Sequence, residues 1–329
     1  MSKKKIAIYT ATGCRVCENV ILDIHYQVSS LARLFDIIFW PYVLGSQWND
    51  FEKAPLMDIC FYAGAVSTES DREAAIRLRE KSQILIAIGA CASFGGMPGL
   101  VNLRTKATPE TSAGEKAELP ESPPPLPRVE HLVFALSQVV DVDYDIPGCP
   151  PTQNLVWAAI QAFSGWKGST SNLSYASSRL PEPISQAVVS GVFPPKKSTF
   201  AGEKAVCASC SRKKEEKKFS NAKRPYESYE STGRCLLEQG LVCQGIATRE
   251  GCGGLCTGVG LPCRGCFGKP PAVYDPGAKM VSAISSTFDS EKAGEIKKIV
   301  EKFHDLTGTF YRYNLPSQCE LLRALRGNL

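Results

Sequence analysis

The stretch EGCGGLCTGVGLPCRGCFG, Glu250 to Gly268, sets the tightest limit on what this chain can become. It places Cys252, Cys256, Cys263 and Cys266 among glycines, with few side chains able to fill a core. Glycine frees the backbone to turn but supplies no packing, so something other than a hydrophobic core must order the segment. Upstream, Cys207, Cys210, Cys235 and Cys243 repeat the pattern, and the 329-residue chain holds 14 cysteines in all. The N-terminus MSKKKIAIYT runs from lysines straight into a strand-like segment. With no apolar signal region, cleavage site or paired arginines there, a cytoplasmic location is expected. A reducing cytosol does not maintain disulfides, which leaves metal. Zinc and iron–sulfur clusters both take four thiolates in close pairs, so spacing alone separates them weakly. No cysteine pair is followed by histidine, which removes c-type haem.

The length suits two domains, and 43% hydrophobic residues argue against disorder. The net charge of +5 is mild, and the run RKKEEKKF (Arg212 to Phe219) mixes signs. It reads as a solvated face, and no nucleic-acid partner is expected. No apolar stretch approaches the roughly 18 residues that cross a bilayer, so no membrane partner is expected either.

Strand and helix signals alternate through the first half. KIAIYT (Lys5 to Thr10) reads as a strand, followed by helical spacing in ENVILDIHYQVSSLARLF. DIIFWPYV (Asp36 to Val43), MDICFYAGAV (Met57 to Val66), QILIAIGACA (Gln83 to Ala92) and VDYDIPGC (Val142 to Cys149) read as further strands. ESDREAAIRLREKS is a charged surface helix with Ser67 or Thr68 as its cap, and TQNLVWAAIQAF is another helix. Apolar strands alternating with helices imply a doubly wound parallel α/β sheet. Arg104 to Arg128, with six prolines, reads as an exposed loop. A second Pro-rich stretch, LPEPISQAVVSGVFPPKK, marks the passage to a second half in which periodicity largely disappears until EIKKIVEKFHDL. The expected domains are residues 1–190 and 191–329.

On such a sheet Cys14 and Cys17 follow the first strand, while Cys91 and Cys149 end the fourth and fifth. Carboxyl ends of parallel strands share one edge, so these four thiols converge. Gly13, Gly89 and Gly148 beside them would admit close backbone approach, and Pro150 after Cys149 is similar to the Cys-Pro of ferredoxin ligation. A thioredoxin-like pair at Cys14-Arg-Val-Cys17 would leave Cys91 and Cys149 unexplained. Cys60 reads as a buried small hydrophobe, Cys319 has no partner by spacing, and His25, His131 and His304 read as structural.

The motifs TGCRVCE, DICFYAGAVSTESD, IGACASFGGMPGL and VDYDIPGCPPT, in that order, resemble the small subunit of nickel–iron hydrogenases and the related subunit of respiratory complex I. CASCSRKKEEKK, GRCLLEQGLVCQGIATREGCGGLC, GLPCRGCFG and DPGAKMVSAI narrow the resemblance. They look like the small subunit of methyl-viologen-reducing, deazaflavin-non-reducing hydrogenases that partner heterodisulfide reductase. The resemblance implies a flavodoxin-like sheet, an irregular cluster-organised domain, and three 4Fe–4S clusters. The proximal cluster would take Cys14, Cys17, Cys91 and Cys149, the medial Cys252, Cys256, Cys263 and Cys266, and the distal Cys207, Cys210, Cys235 and Cys243. Implied partners are a nickel–iron large subunit and an electron-accepting iron–sulfur or flavin subunit, linked to heterodisulfide reductase.

Two departures stand out. Ala63-Gly64 occupies the place where the family has Glu-Gly, and Arg15-Val16 replaces Gly-Gly between the first cysteines. Both changes would raise the proximal potential. Glu18 keeps the family's Cys-Glu pair and is a candidate for proton transfer, although the helix dipole equally explains a carboxylate there. The chain lacks the paired-cysteine motifs of a nickel site, so no catalytic residue is assigned to it. The sequence supports an electron-relay subunit of a hydrogenase. It leaves open a relay subunit of a reductase without hydrogen chemistry, and a zinc-dependent scaffold.

Overall fold

The computed structural model describes residues 3–23, 28–103, 129–165, 182–227, 230–289, 294, 297, 301–302 and 305–319. Its centre is a five-stranded sheet of β1 (Lys4–Thr10), β2 (Phe35–Phe39), β3 (Met57–Ala63), β5 (Ser82–Ile88) and β7 (Tyr144–Ile146). The strand order is β2-β1-β3-β5-β7, with every pairing parallel. That is the flavodoxin-like order once the short β4 (Val66–Thr68) and β6 (Val129–Phe134) are set aside, with its switch point between β1 and β3.

Alternation along the strands separates two cores. Ile6, Ile8, Ile59, Phe61, Ile84, Ile86 and Ile88 face α1 (Val16–Leu22) and α7 (Gln153–Ser164), which contribute Val20, Ile21, Val156 and Ile160. Ala7, Cys60, Tyr62, Leu85 and Ala87 turn to the other side, where α5 (Glu69–Glu80) brings Ala75 and Leu78. Each fully buried large apolar side chain contributes about 1.5–3 kcal/mol, so this sheet carries its own stabilising core. Cys60 is completely buried there and neighbours Ser82, as expected of a small core residue.

Several strand boundaries differ from expectation. The strand at Asp36 stops at Phe39, because Pro41 starts the helical turn α3 (Pro41–Leu44), followed by α4 (Trp48–Lys53). The run from Met57 breaks at Gly64, and the residues after it form β4 instead. β4 pairs antiparallel with β6, a strand that the sequence pattern does not announce. The run from Gln83 ends at Ile88 and becomes α6 (Gly89–Phe94), so Cys91 lies in a helix, not in the strand. The expected first helix divides into α1 and α2 (Val28–Leu34). Of the two expected caps for α5, Thr68 accepts from the Asp71 amide.

The second half has little regular structure: short 3-10 turns, isolated bridges and the helix Pro276–Thr287, capped by Asp275. That helix, and Glu182–Ser190 before it, lie where the sequence gives no clear periodicity. Apolar clusters here are small, Val206, Leu236 and Leu241 in one and Ala247, Met280 and Phe310 in another. Phe200, Ala201 and Phe267 join the first-half core. Among the described residues no helix is long and apolar enough to cross a membrane. The Pro-rich loop 104–128, His25, His304 and most of EIKKIVEKFHDL lie outside the described residues. His131 falls on β6.

Candidate metal centres

β1, β3, β5 and β7 end on one edge of the sheet, and the first four cysteines collect there. Cys14 is exposed in the loop after β1, Cys17 sits in α1, Cys91 in α6, and Cys149 follows β7. Their thiols feel one another. Burial pushes Cys17 up first, and then Cys91, Cys149 and Cys14 add to it. Burial raises Cys91 to about 12, with Cys149 and Cys14 contributing. Gly89, at φ 85°, shows how tightly the backbone approaches: a Cβ there would stand 2.3 Å from Cys17 Sγ.

The second-half cysteines form two further groups. Cys207 is raised by burial, then by Cys243, Cys235 and Cys210. Cys210 Sγ donates to Thr257 Oγ1 at 3.3 Å. Cys266 is raised by burial and feels Cys252 and Cys256, while Cys263 is raised by burial and feels Cys243 and then Cys266. Cys14, Cys17, Cys91 and Cys149 thus lie near one another, as do Cys207, Cys210, Cys235 and Cys243, and Cys252, Cys256 and Cys266, with Cys263 between the last two groups. Neighbouring cysteines resist becoming thiolates together, and a cationic metal–sulfide core removes that penalty, so the donor set fits iron–sulfur ligation. Zinc also accepts four thiolates. Among the described residues no three His, Cys, Asp or Glu side chains close around a single metal ion.

The groups also approach one another through contacts that the sequence did not reveal. The Cys149 backbone lies close enough to the Cys266 thiol to favour its charged form, which brings the first group next to the second. The Cys263 amide donates to Cys243 Sγ at 3.3 Å, linking the second to the third. Tyr313 senses the charges of both Cys149 and Cys266, and burial raises its phenol to about 12.

Glu18 differs from a solvated helix-start carboxylate. It is 2% exposed, and Oε1 accepts from Trp40 Nε1 at 3.2 Å. Burial raises its carboxyl above the usual range, opposed by Thr10, Trp40 and Arg15. Thr10 Oγ1 is close enough to favour the charge, yet neither it nor Glu18 Oε2 completes a hydrogen bond. No sequence signal pairs Glu18 with Trp40, because 22 residues separate them and the strand edge joins them. Arg15, in the left-handed region at φ 61°, lies 5.0 Å over the Tyr42 ring. Ala63 is buried at the end of β3 and accepts from the Ala11 amide, just before the Cys14 loop. Cys319 is buried in contact with Tyr311 and joins no quartet.

Comparison with known proteins agrees with the motif resemblance. Residues 14–163 match the family "NADH ubiquinone oxidoreductase, 20 Kd subunit". A subunit of the F420-non-reducing hydrogenase of Methanothermobacter thermautotrophicus is 31% identical, over 96% of this chain and 95% of its own. The corresponding vhu hydrogenase subunit of Methanocaldococcus jannaschii, also F420-non-reducing, is 33% identical, over 95% of each chain. In Archaeoglobus profundus the similar protein, an F420-non-reducing hydrogenase iron-sulfur subunit, is 28% identical over 95% of this chain and 96% of its own. Full-length similarity of this kind, on the expected sheet, means that this chain belongs to the family of F420-non-reducing hydrogenase G subunits and is an oxidoreductase subunit.

Proposed function

We propose that this chain is the electron-relay subunit of a nickel–iron hydrogenase complex, holding three 4Fe–4S clusters between a large subunit and a downstream acceptor. The observation that carries the reading is the serial contact of the quartets, Cys149 to Cys266 and Cys263 to Cys243. A zinc scaffold has no use for three adjoining thiolate sites in a row, whereas one-electron transfer between clusters requires short separations. When bound, the clusters would supply reversible one-electron chemistry. The chain's own part is to hold them: Cys14, Cys17, Cys91 and Cys149 the proximal, Cys252, Cys256, Cys263 and Cys266 the medial, and Cys207, Cys210, Cys235 and Cys243 the distal.

The proximal end faces the large subunit in this reading. Exposed Cys14 lies beside Val16 and, through the Arg15–Tyr42 contact, beside exposed Tyr42, Val43 and Leu44. An exposed apolar patch of this kind marks a protein interface. Glu18, held by Trp40, lies next to the Cys14–Cys17 turn, where burial shifts its carboxyl toward the neutral form. The physiological acceptor is assigned as an iron–sulfur or flavin chain leading to heterodisulfide reductase, following the family. The whole assembly is placed in the cytoplasm.

Anaerobic purification followed by metal analysis tests this reading. About 12 iron and about 12 acid-labile sulfide per chain are expected from three complete quartets. A reproducible value near eight would remove one quartet from the relay, and zinc as the bound metal would overturn the reading.

A further inference from the structure

The segment Arg212–Phe219 resembles a solvated charge run in sequence, but the fold treats it otherwise. It leaves Cys210 and passes directly over Cys235: the Cys235 amide donates to Lys213 O at 2.7 Å, and the Lys213 amide donates to Gly233 O at 3.0 Å. Two cysteines of one quartet thus bracket it. Arg212 is tied inward, its Nε donating to Thr257 O at 2.7 Å, and Thr257 is the residue that accepts from Cys210 Sγ. Glu238, 2% exposed, spends both carboxylate oxygens on this strap, accepting from the amides of Glu215 and Glu216 at 2.8 Å each. Burying a carboxylate is costly unless it is fully hydrogen-bonded. A freely solvated run has no need of one.

The held strap presents an asymmetric charge. Lys213, Lys214, Lys217 and Lys218 are all exposed, against Glu215 and Glu216. Glu215 pairs with Lys217, and Glu230 nearby pairs with Arg234. Among the described residues Lys213, Lys214 and Lys218 form no ion pair, and Cys207 of the same quartet is exposed. Fixed cations at an open edge of a thiolate quartet raise the local concentration of anionic partners and orient them on encounter.

We infer that the Lys213–Lys218 strap is the docking surface for an electron-carrying protein whose contact face is rich in Asp and Glu, seated over the quartet of Cys207, Cys210, Cys235 and Cys243. The inference rests on the reading of that quartet as the electron exit. Charge complementarity selects the partner: a basic, rigid, backbone-pinned rim beside an exposed ligand suits an acidic redox protein. A polyanion such as nucleic acid would need a broader basic field than a chain with net charge +5 provides.

The test uses the anaerobically purified complex, wild type and Lys213→Glu/Lys214→Glu/Lys218→Glu. Hydrogen-driven reduction of a small acidic two-cluster ferredoxin is followed against ionic strength. The wild-type rate should fall as salt rises, while the variant loses at least about tenfold in kcat/KM at low salt, together with the salt dependence. Hydrogen–deuterium exchange, which needs no exit, should hold within about twofold. A carbodiimide, which joins lysines to touching carboxylates, should link the three lysines to the ferredoxin. If a redox chain already covers the strap in the complex, the links land on its carboxylates and its reduction carries the loss.

An unchanged rate and salt slope in the variant, for ferredoxin and any bound redox chain alike, overturns the docking surface but leaves the relay standing. Links running from these lysines to the nickel-bearing chain overturn it as well. Absence of iron at this quartet in the wild type removes the exit reading and the docking surface together. A variant that loses iron is replaced by Lys213→Gln/Lys214→Gln, for which an unaltered salt slope counts against the proposal in the same way.

Discussion

The two halves of this molecule hold cysteines in opposite ways. On the sheet edge, the scaffold exists without its ligands: β1, β3, β5 and β7 bury Ile6, Ile8, Phe61, Ile86 and Ile146, and the quartet sits on their ends. In the second half cysteines are themselves part of the packing. Val206, Leu236 and Leu241 form a core whose remaining members are Cys243 and Cys263 themselves. Around them, turns are fixed by single polar contacts, such as Gln244 Nε2 donating to Thr309 O at 2.7 Å and Thr248 Oγ1 donating to Gln244 O at 2.6 Å. A site built on a hydrophobic core survives the loss of its metal, whereas a core built from ligands does not.

Removing iron should therefore separate the halves most sharply. After chelation under air, limited proteolysis is expected to cut first beyond about Pro194, while fragments carrying the β1–β7 sheet persist. Fragments mapped by mass spectrometry give the answer directly. Equal survival of both halves would mean that the small clusters around Leu241 and Met280 suffice, and the contrast drawn above would fail.

Single ligands sharpen the same contrast functionally. Cys149→Ala should isolate the nickel site from every external acceptor, because Cys149 belongs to the sheet-edge quartet and also contacts Cys266. Cys210→Ala should spare most hydrogen–deuterium exchange and lower acceptor reduction on the order of 10- to 100-fold. Loss of both activities in an intact, nickel-loaded complex would show that the Cys207, Cys210, Cys235 and Cys243 quartet is not the exit.

How far these contrasts could be read from sequence depends on the range of the interaction. The sheet was legible because apolar runs such as KIAIYT and ILIAI record local burial. The approach of Cys14, Cys17, Cys91 and Cys149 was legible because strand-end positions are a topological signal, whereas the division of the other eight cysteines came from the motif resemblance. The individual contacts between groups were not, since Cys263 and Cys243 meet across 20 residues through one amide-to-sulfur bond. Glu238 was equally hidden: an isolated glutamate gives no sign that it will be buried under two backbone amides. The strand β6 escaped because its partner, β4, is three residues long and follows a break at Gly64.

The C-terminal segment joins the halves, and it too was illegible. Pro316 lodges beside Gly95 and Gly99, the turn following the Cys91 helix. Ser317 Oγ donates to Phe94 O at 3.3 Å, and the Lys269 amide donates to Gln318 Oε1 at 2.9 Å. A Cβ at position 99 would stand 2.3 Å from Pro316 Cγ, and Gly99 has ordinary backbone angles, so Gly99→Ala tests sterics alone. Destabilisation of about 1–3 kcal/mol is expected, as for other overpacked contacts. Iron content should hold, with faster protease cutting near residues 314–318 as the measured sign. Unaltered cutting would mean that the clasp yields at no cost.

The smallest effect expected belongs to Cys60, one of the two cysteines left outside the quartets. Cys60 lies on β3 with no exposed surface, packed on the side of the sheet away from the Ile6–Ile8 face. Burial pushes its thiol up to about 12, so it stays neutral at physiological pH and behaves as an apolar group. Cys60→Ala removes one sulfur from a closed core and should cost about 1 kcal/mol, the scale of a small cavity. Iron, sulfide and hydrogen–deuterium exchange are expected to match wild type, with only a shift of a few degrees in the unfolding of the sheet half. Loss of cluster iron from this variant would place Cys60 among the ligands and break the division of the cysteines into three quartets and two bystanders.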